Sequence, residues 1–338
     1  MNIYIKSFNR PYYLDRCISS IINNVIDKDL RIIVLDDGTD AKYLKKIQEK
    51  YPLIIICLSN FYYEKLNKIN NFLINKEPVG SLEIPTKFWL SHITSCKDEY
   101  MMVLEDDMWF TSPIIVKESL GLMKKHNMCI LKMCYFRNKK LIAGELSAIS
   151  DLVNRIEPKL ISTNPFLFEN LIVKNRLKIM SILMRFGLYN YGRKIEYYTI
   201  YNVAGAIYSK SYYDYLWEDF AGHVDEDQQL IRAVKFMKDK SPNYGVFKND
   251  VINTSFSSSA TNMFSDIHFN VFEYNNILNE AWFQDNFDVW SNFPNDISEE
   301  QIKNILEKTD NTSANVVEWE KWMHRFKANY ISVGHQIT

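Results

Sequence analysis

Glycine and cysteine are scarce in this chain of 338 residues, which has ten of the first and five of the second. Cys17, Cys57, Cys96, Cys129 and Cys134 are odd in number, fall mostly in apolar runs and form neither a CxxC pair nor a His–Cys cluster. That excludes a disulfide framework and a thiolate metal site, and predicts reduced core thiols in a cytoplasmic protein. An excess of either charge is missing too. The 40 Lys and Arg against 41 Asp and Glu leave a formal net charge of -1, so no nucleic-acid partner is expected, since a general binder would show a basic face. No uninterrupted apolar run is long enough to cross a bilayer. A strand-like Ile3-Tyr-Ile5 so near the start argues against a secretory leader. Internal repeats and low-complexity tracts are absent as well. What remains is a protein that is soluble or peripherally attached, long enough for one large α/β domain with additions or for two domains.

The most informative stretch is residues 99–113, EYMMVLEDDMWFTSP. Tyr100 to Leu104 has the length and composition of a buried strand, and it ends in Glu105, Asp106 and Asp107. Adjacent carboxylates repel one another and cost desolvation energy unless a positive charge neutralises them. A divalent cation carrying a phosphorylated ligand would do so, because magnesium and manganese take hard oxygen ligands and share their shell with substrate phosphates. The plain alternative is a solvated acidic turn after an edge strand.

Upstream, strands and helices alternate. Met1 to Pro11 reads as a strand leaving into a polar turn, and Leu14, Cys17, Ile18, Ile21, Ile22 and Val25 recur at helical spacing. Arg31 to Leu35 is a second strand, Asp36-Asp-Gly-Thr-Asp40 its turn, Ala41 to Tyr51 a polar helix and Leu53 to Leu58 a third strand. This alternation predicts a mostly parallel sheet covered on both faces, whose ligands bind beyond the carboxyl ends of the strands. Asp36, Asp37, Asp106 and Asp107 would then share one edge. Residues 60–85 have no clear period. Thr86 to Ser95 reads as a helix, Ile114 to His126 as another, and Met128 to Phe136 as a strand.

Composition shifts near residue 150. Residues 170–194 hold six Lys and Arg and no acid, interleaved with apolar side chains. They predict a basic amphipathic helix, either packed on the core with a solvated basic face or lying on an anionic membrane surface. Tyr198 to Ser209 reads as a strand broken at Gly205, where a glycine signals a bulge or the close approach of a ligand. A loop then runs into a helix whose first turn holds Asp225, Glu226 and Asp227. Acids there are favoured by the helix dipole, so capping competes with a catalytic role. Helices are expected at Glu299 to Thr309, with a Ser298–Gln301 capping box, and at about Val316 to Tyr330.

Together these segments resemble the nucleotide-sugar glycosyltransferases of the GT-A fold, above all the inverting glycosyltransferase family 2. Ser7-Phe-Asn-Arg10 with Cys17-Ile-Ser-Ser-Ile21 is similar to that family's first strand, turn and helix. Val34-Leu-Asp-Asp-Gly-Thr39 resembles its second-strand signature, and Leu104-Glu-Asp-Asp107 its DxD motif. The Gly205 segment and Asp225-Glu-Asp227 match, in order and spacing, its acceptor-side glycine and catalytic acid. His268 falls in the region of a C-terminal histidine that some members place on the metal.

The resemblance implies a GT-A sheet flanked by helices, with a nucleotide-sugar half at 1–112, an acceptor half at 113–270 carrying a basic helical insertion near 150–195, and a helical extension at 271–338. It implies transfer of a hexosyl or N-acetylhexosaminyl unit from a UDP-sugar to a glycan or lipid-linked acceptor, in bacterial surface polysaccharide synthesis, with Mn2+ or Mg2+. Asp107 and Asp106 would hold the metal, with His268; alternatively Glu105 and Asp106 would meet ribose or sugar hydroxyls. Asp37 would bind the uracil imide with Asp36 nearby, and Lys6, Arg10 and Lys87 would meet phosphate or base. Asp227 is the preferred base and Glu226 the alternate, because Leu230, Ile231 and Val234 should define the buried helix face. Gln229-Leu-Ile-Arg232 is followed by Ala233 instead of the tryptophan of processive members, which favours a single addition. A sugar-phosphate nucleotidyltransferase would need a glycine-rich phosphate loop after its first strand, and Ser7-Phe-Asn-Arg-Pro11 has no glycine. A non-catalytic nucleotide-sugar-binding relative is the other rival.

Overall fold

The computed structural model describes every residue except Lys28, Leu188, Tyr191, Asp219, Phe220, Ala221, His223 and Thr338. Its strands among the described residues are β1 (Asn2–Ser7), β2 (Arg31–Asp36), β3 (Ile55–Leu58), β4 (Tyr100–Glu105), β5 (Met108–Phe110), β6 (Met128–Lys132), β7 (Gly144–Ala148), β8 (Val153–Pro158), β9 (Ala206–Ser209), β10 (Asn243–Phe247) and β11 (Ile252–Thr254). Nine of them form one sheet in the order β3-β2-β1-β4-β9-β6-β10-β8-β7, and β11 pairs with β5 beside it. Only β9 and β8 run against the other strands of the sheet. The mostly parallel α/β sheet expected from the alternation is therefore what forms.

Period two divides the central strands between two cores. Ile3, Ile5, Met102 and Leu104 face one, while Tyr4, Met101 and Val103 face the other. A strand buried on both faces reads as a continuous apolar run, which is why β1 and β4 are visible in the sequence. Pro11, whose missing N–H costs nothing at a helix start, opens the helix Pro11–Asn24. The helix Val271–Phe283 packs against Pro11–Asn24, Ala41–Lys50 and Tyr62–Asn75. The last helix, Val316–Val333, buries Trp319 and Trp322. No helix among the described residues is long and apolar enough to cross a membrane.

Several elements depart from the sequence expectation. Residues 60–85, which show no clear period in the sequence, contain the helix Tyr62–Asn75. The third strand starts at Ile55 because Leu53 lies in a turn, 94% exposed. Only the end of 198–209 is a strand, β9, preceded by the 3-10 turn Glu196–Ile200. The basic stretch 170–194 is several short helical pieces, not one helix. Asn175, Leu177 and Lys178 take left-handed backbone angles, and the Asn175 side chain caps a new start by accepting from Met180 N at 2.9 Å. The region near 150–195 also contains part of the β7–β8 hairpin.

Candidate functional site

The parallel pairing of β1 with β2 and β4 brings three chain turns to one edge. Asp37 N donates to Ser7 O at 3.1 Å and Asp106 N to Lys6 O at 3.0 Å, so the two acidic turns flank the segment Ser7 to Arg10. Beyond these strand ends lies a cleft of about 430 Å³, lined among others by Lys6, Arg10, Asp37, Lys65, Trp89 and Glu105 to Asp107.

Asp36 and Asp37 have different tasks. Asp36 Oδ1 accepts from Gly38 N (3.1 Å) and Thr39 N (2.9 Å), and Oδ2 from Thr39 Oγ1 (2.7 Å). Fully buried, it shapes the turn and does not line the cleft. Asp37 accepts from Ser59 Oγ and Lys65 Nζ and does line it. Burial pushes the Asp37 carboxyl up, with Lys65 and Ser59 pulling it back.

The positive charge that the acid cluster requires comes from the chain itself. Arg10 Nη1 lies 2.8 Å from Asp107 Oδ2, and Nη2 contacts Asp106 Oδ1. Phe8 N donates to the other Asp106 oxygen at 3.1 Å. Burial pushes the Asp106 carboxyl up, and Arg10 is the largest opposing influence. Since a guanidinium does not deprotonate and its two nitrogens are aimed at two carboxylates, the pair is ionic. Glu105 stands opposite Lys6 in the β1–β4 pairing; burial raises its carboxyl and Lys6 lowers it. Lys6 Nζ sits 4.9 Å from the Trp89 ring centre.

Whether this site suits a divalent cation rests on what Arg10 leaves free. Asp107 Oδ1 is buried and has no hydrogen-bond partner among the described residues. Magnesium-type sites take one or two carboxylates and complete their shell with water and substrate phosphates, so Asp107 Oδ1 fits the protein's share of such a shell. A fuller protein cage is not there: no group of three His, Cys, Asp or Glu among the described residues could hold a metal ion. His268 is exposed, and so is Lys87; neither lines the cleft.

The helix Glu226–Lys240 supplies the other acids, and each of the three does something different. Asp225 is the cap, its Oδ1 accepting from Asp227 N (3.0 Å) and Gln228 N (3.2 Å). Asp227 pairs with Lys194 at 2.6 Å. Glu226 accepts from the Tyr198 hydroxyl, and its charge reaches Lys6, Glu105 and Tyr330. The C-terminal helix completes the wall with Phe326 and Tyr330. Burial pushes the Tyr330 hydroxyl up, and Asp107, Glu105 and Glu226 push it the same way. Lys65 and Tyr330 were not among the residues expected from sequence. Lys65 lies on the helix that residues 60–85 concealed, and Tyr330 is one aromatic among many, more than two hundred residues from Glu105 and Asp107.

Gly205 lies beside the site without lining it. Its φ of +72° is left-handed, and a Cβ there would meet Ile252 Cδ1 at 2.9 Å. Its N–H donates to Val103 O at 2.8 Å and its carbonyl accepts from Met133 N at 3.0 Å, so the close approach is by neighbouring chain. Gly205→Ala is expected to destabilise by about 1–3 kcal/mol from strain and crowding. Urea unfolding measures it; an unchanged midpoint would show that the turn relaxes freely.

Comparison with known proteins adds a likeness over part of the chain. No curated protein sequence matches the chain. Among solved structures it is similar to S. aureus TarS 1–349 in complex with UDP-GlcNAc, at 11% identity and a TM-score of 0.40, covering 98% of this chain and 72% of that one. It is also similar to glucosyl-3-phosphoglycerate synthase from Mycobacterium tuberculosis in complex with Mn2+, UDP and phosphoglyceric acid, at 11% identity and a TM-score of 0.40, covering 83% and 77%. The galactosyltransferase LgtC with donor and acceptor sugar analogs gives 11% identity, a TM-score of 0.32 and coverage of 69% and 70%. The sequence model of glycosyl transferase family 2 matches residues 2–65, and over this stretch, from β1 through Arg10 and Asp37 to Lys65, the chain is similar to that family, as its motifs imply.

Proposed function

We propose that this protein moves a single hexosyl or N-acetylhexosaminyl unit from a UDP-sugar to a hydroxyl of a glycan or lipid-linked acceptor, with inversion and with a divalent cation. On this reading it works in the cytoplasm, in bacterial surface polysaccharide synthesis. The observation that carries the proposal is one cleft lined by both Asp37–Lys65 and Arg10–Asp106–Asp107, with Glu226 close enough to perturb Lys6 and Glu105.

Asp37 would accept the uracil imide N–H, with Lys65 holding the carboxylate in place. Lys6 and Arg10, which line the cleft, would meet the diphosphate, Arg10 while paired with Asp106 and Asp107. Asp107 Oδ1 would hold Mn2+ or Mg2+, which when bound neutralises charge on the leaving diphosphate. Glu226 is the preferred base, ahead of Asp227, which is engaged by Lys194. As the acceptor oxygen bonds to the anomeric carbon, its proton passes to the Glu226 carboxylate. The bond from that carbon to the diphosphate oxygen breaks, and the electron pair leaves with UDP. Attack opposite the leaving group inverts the centre. Tyr198, donating to Glu226, fixes the direction of the carboxylate.

A panel of nucleotide sugars incubated with and without manganese tests this. Slow release of UDP and free sugar from one UDP-sugar, requiring the metal, is expected. Release of UMP or a sugar phosphate would favour the nucleotidyltransferase. UDP binding with no turnover of any donor or acceptor would favour a non-catalytic relative.

A further inference from the structure

The acid-free stretch has an outward face that its packing does not explain. In the helix Ile179–Arg185, Met180 is in the second core and Ile179, Leu183 and Met184 pack against it. Helical spacing places Ile182 and Arg185 on the opposite side, and Lys178 and Phe186, just beyond either end of the helix, are exposed as well. Ile182 is 51% exposed, Phe186 72%, and Leu177, held out by the left-handed turn, 86%. Phe166, at the other end of the segment, is also exposed. Single exposed apolar side chains are ordinary, but clusters of them mark interaction surfaces.

The basic residues among them decide what kind. Arg176, Lys178 and Arg185 are exposed and have no ion pair among the described residues, whereas Lys174 pairs with Glu169 and Lys194 with Asp227. Residues 170–194 hold no acid. Free cations interleaved with projecting apolar tips complement anionic headgroups over acyl chains. The same segment leads through the helix Gly192–Ile195 to Lys194, on the acid next to Glu226.

We propose that residues 166–186 dock on an anionic lipid surface, with Leu177, Ile182 and Phe186 entering it and Arg176, Lys178 and Arg185 meeting the headgroups. The acceptor is then an amphiphile anchored in that surface, an assignment that rests on the transferase reading, whereas the docking does not.

Flotation of the full chain with phosphatidylglycerol-containing vesicles, against phosphatidylcholine alone, tests it. Binding to the anionic vesicles at low salt, reversed by high salt, is expected. The triple change Arg176→Gln, Lys178→Gln, Arg185→Gln should weaken partitioning about 100-fold, and Leu177→Asn, Ile182→Asn, Phe186→Asn should abolish it. UDP affinity, unchanged in both variants, separates a failure here from a failure of the donor site. Absence of flotation at low salt, or variants that float like the wild type, would overturn the proposal. So would a dimer in sedimentation that the apolar variant dissolves without any lipid binding, which would give the face to a second copy of the chain.

Discussion

Glu226→Gln should lower sugar transfer by roughly 100-fold or more, the loss expected if Glu226 is the base proposed above and can no longer take the proton. Glutamine keeps the size of the side chain and its contact with Tyr198, and Glu226 is not among the residues lining the cleft. UDP affinity should therefore stay within about twofold, so that the loss falls on kcat. Asp227→Asn should cost less than about tenfold, because Asp227 is held by Lys194 and is not the base on this reading, and loss of that partly exposed pair costs little stability. Single-turnover transfer assays on both variants decide between the two acids. Full activity in Glu226→Gln with loss in Asp227→Asn would move the base by one residue. Full activity in both would leave this turn a capped helix start and put the base elsewhere.

Arg10→Ala has the largest expected effect on stability. It strips the counter-charge from Asp106, whose side chain is 2% exposed, and from Asp107, at 14%. Removing one partner of a buried pair leaves an uncompensated charge and costs about 3–5 kcal/mol. Excess manganese should restore part of that loss, since a hard cation can sit between the same carboxylates. Arg10→Lys should restore less than the wild-type arginine, because an ammonium lacks the planar fork that reaches two acids at once. Thermal unfolding with and without metal measures all three. A loss below about 1 kcal/mol would mean that Arg10 is not the neutraliser. A full loss untouched by manganese would mean that no cation binds at these acids.

The sequence shows local features of the site and hides those made by distant contact. β4 and its acids are legible because a strand buried on both faces leaves an apolar run, and the Ser298 cap is legible because its spacing to Gln301 is short-range. Gln301 N does donate to Ser298 Oγ, but the box does not close, since the Gln301 side chain donates to Asp288 O and Ser298 N to Ser291 Oγ. Asp36 and Asp37 are adjacent and chemically identical, so nothing local told the turn-former from the cleft acid; the hydrogen bonds from Gly38 and Thr39 do. The need for a positive charge at Asp106 and Asp107 was readable, but its source was not. Arg10 reaches them only because β1 and β4 pair in parallel. The β7–β8 hairpin is not legible in the sequence because β7 is exposed along its length and shows no alternation. The basic stretch misled in the opposite way. Its apolar spacing is that of a helix, while left-handed turns at Asn175, Leu177 and Lys178 break it.

The most direct test of the account is calorimetric titration of the wild-type protein with UDP, once with manganese and once with excess chelator. The account predicts one site per chain, bound about tenfold or more tightly with the metal, because a cation held by Asp107 would neutralise charge on the diphosphate. No UDP binding in either condition would contradict the assignment of the cleft, and equal affinity in both would contradict the role given to Asp107.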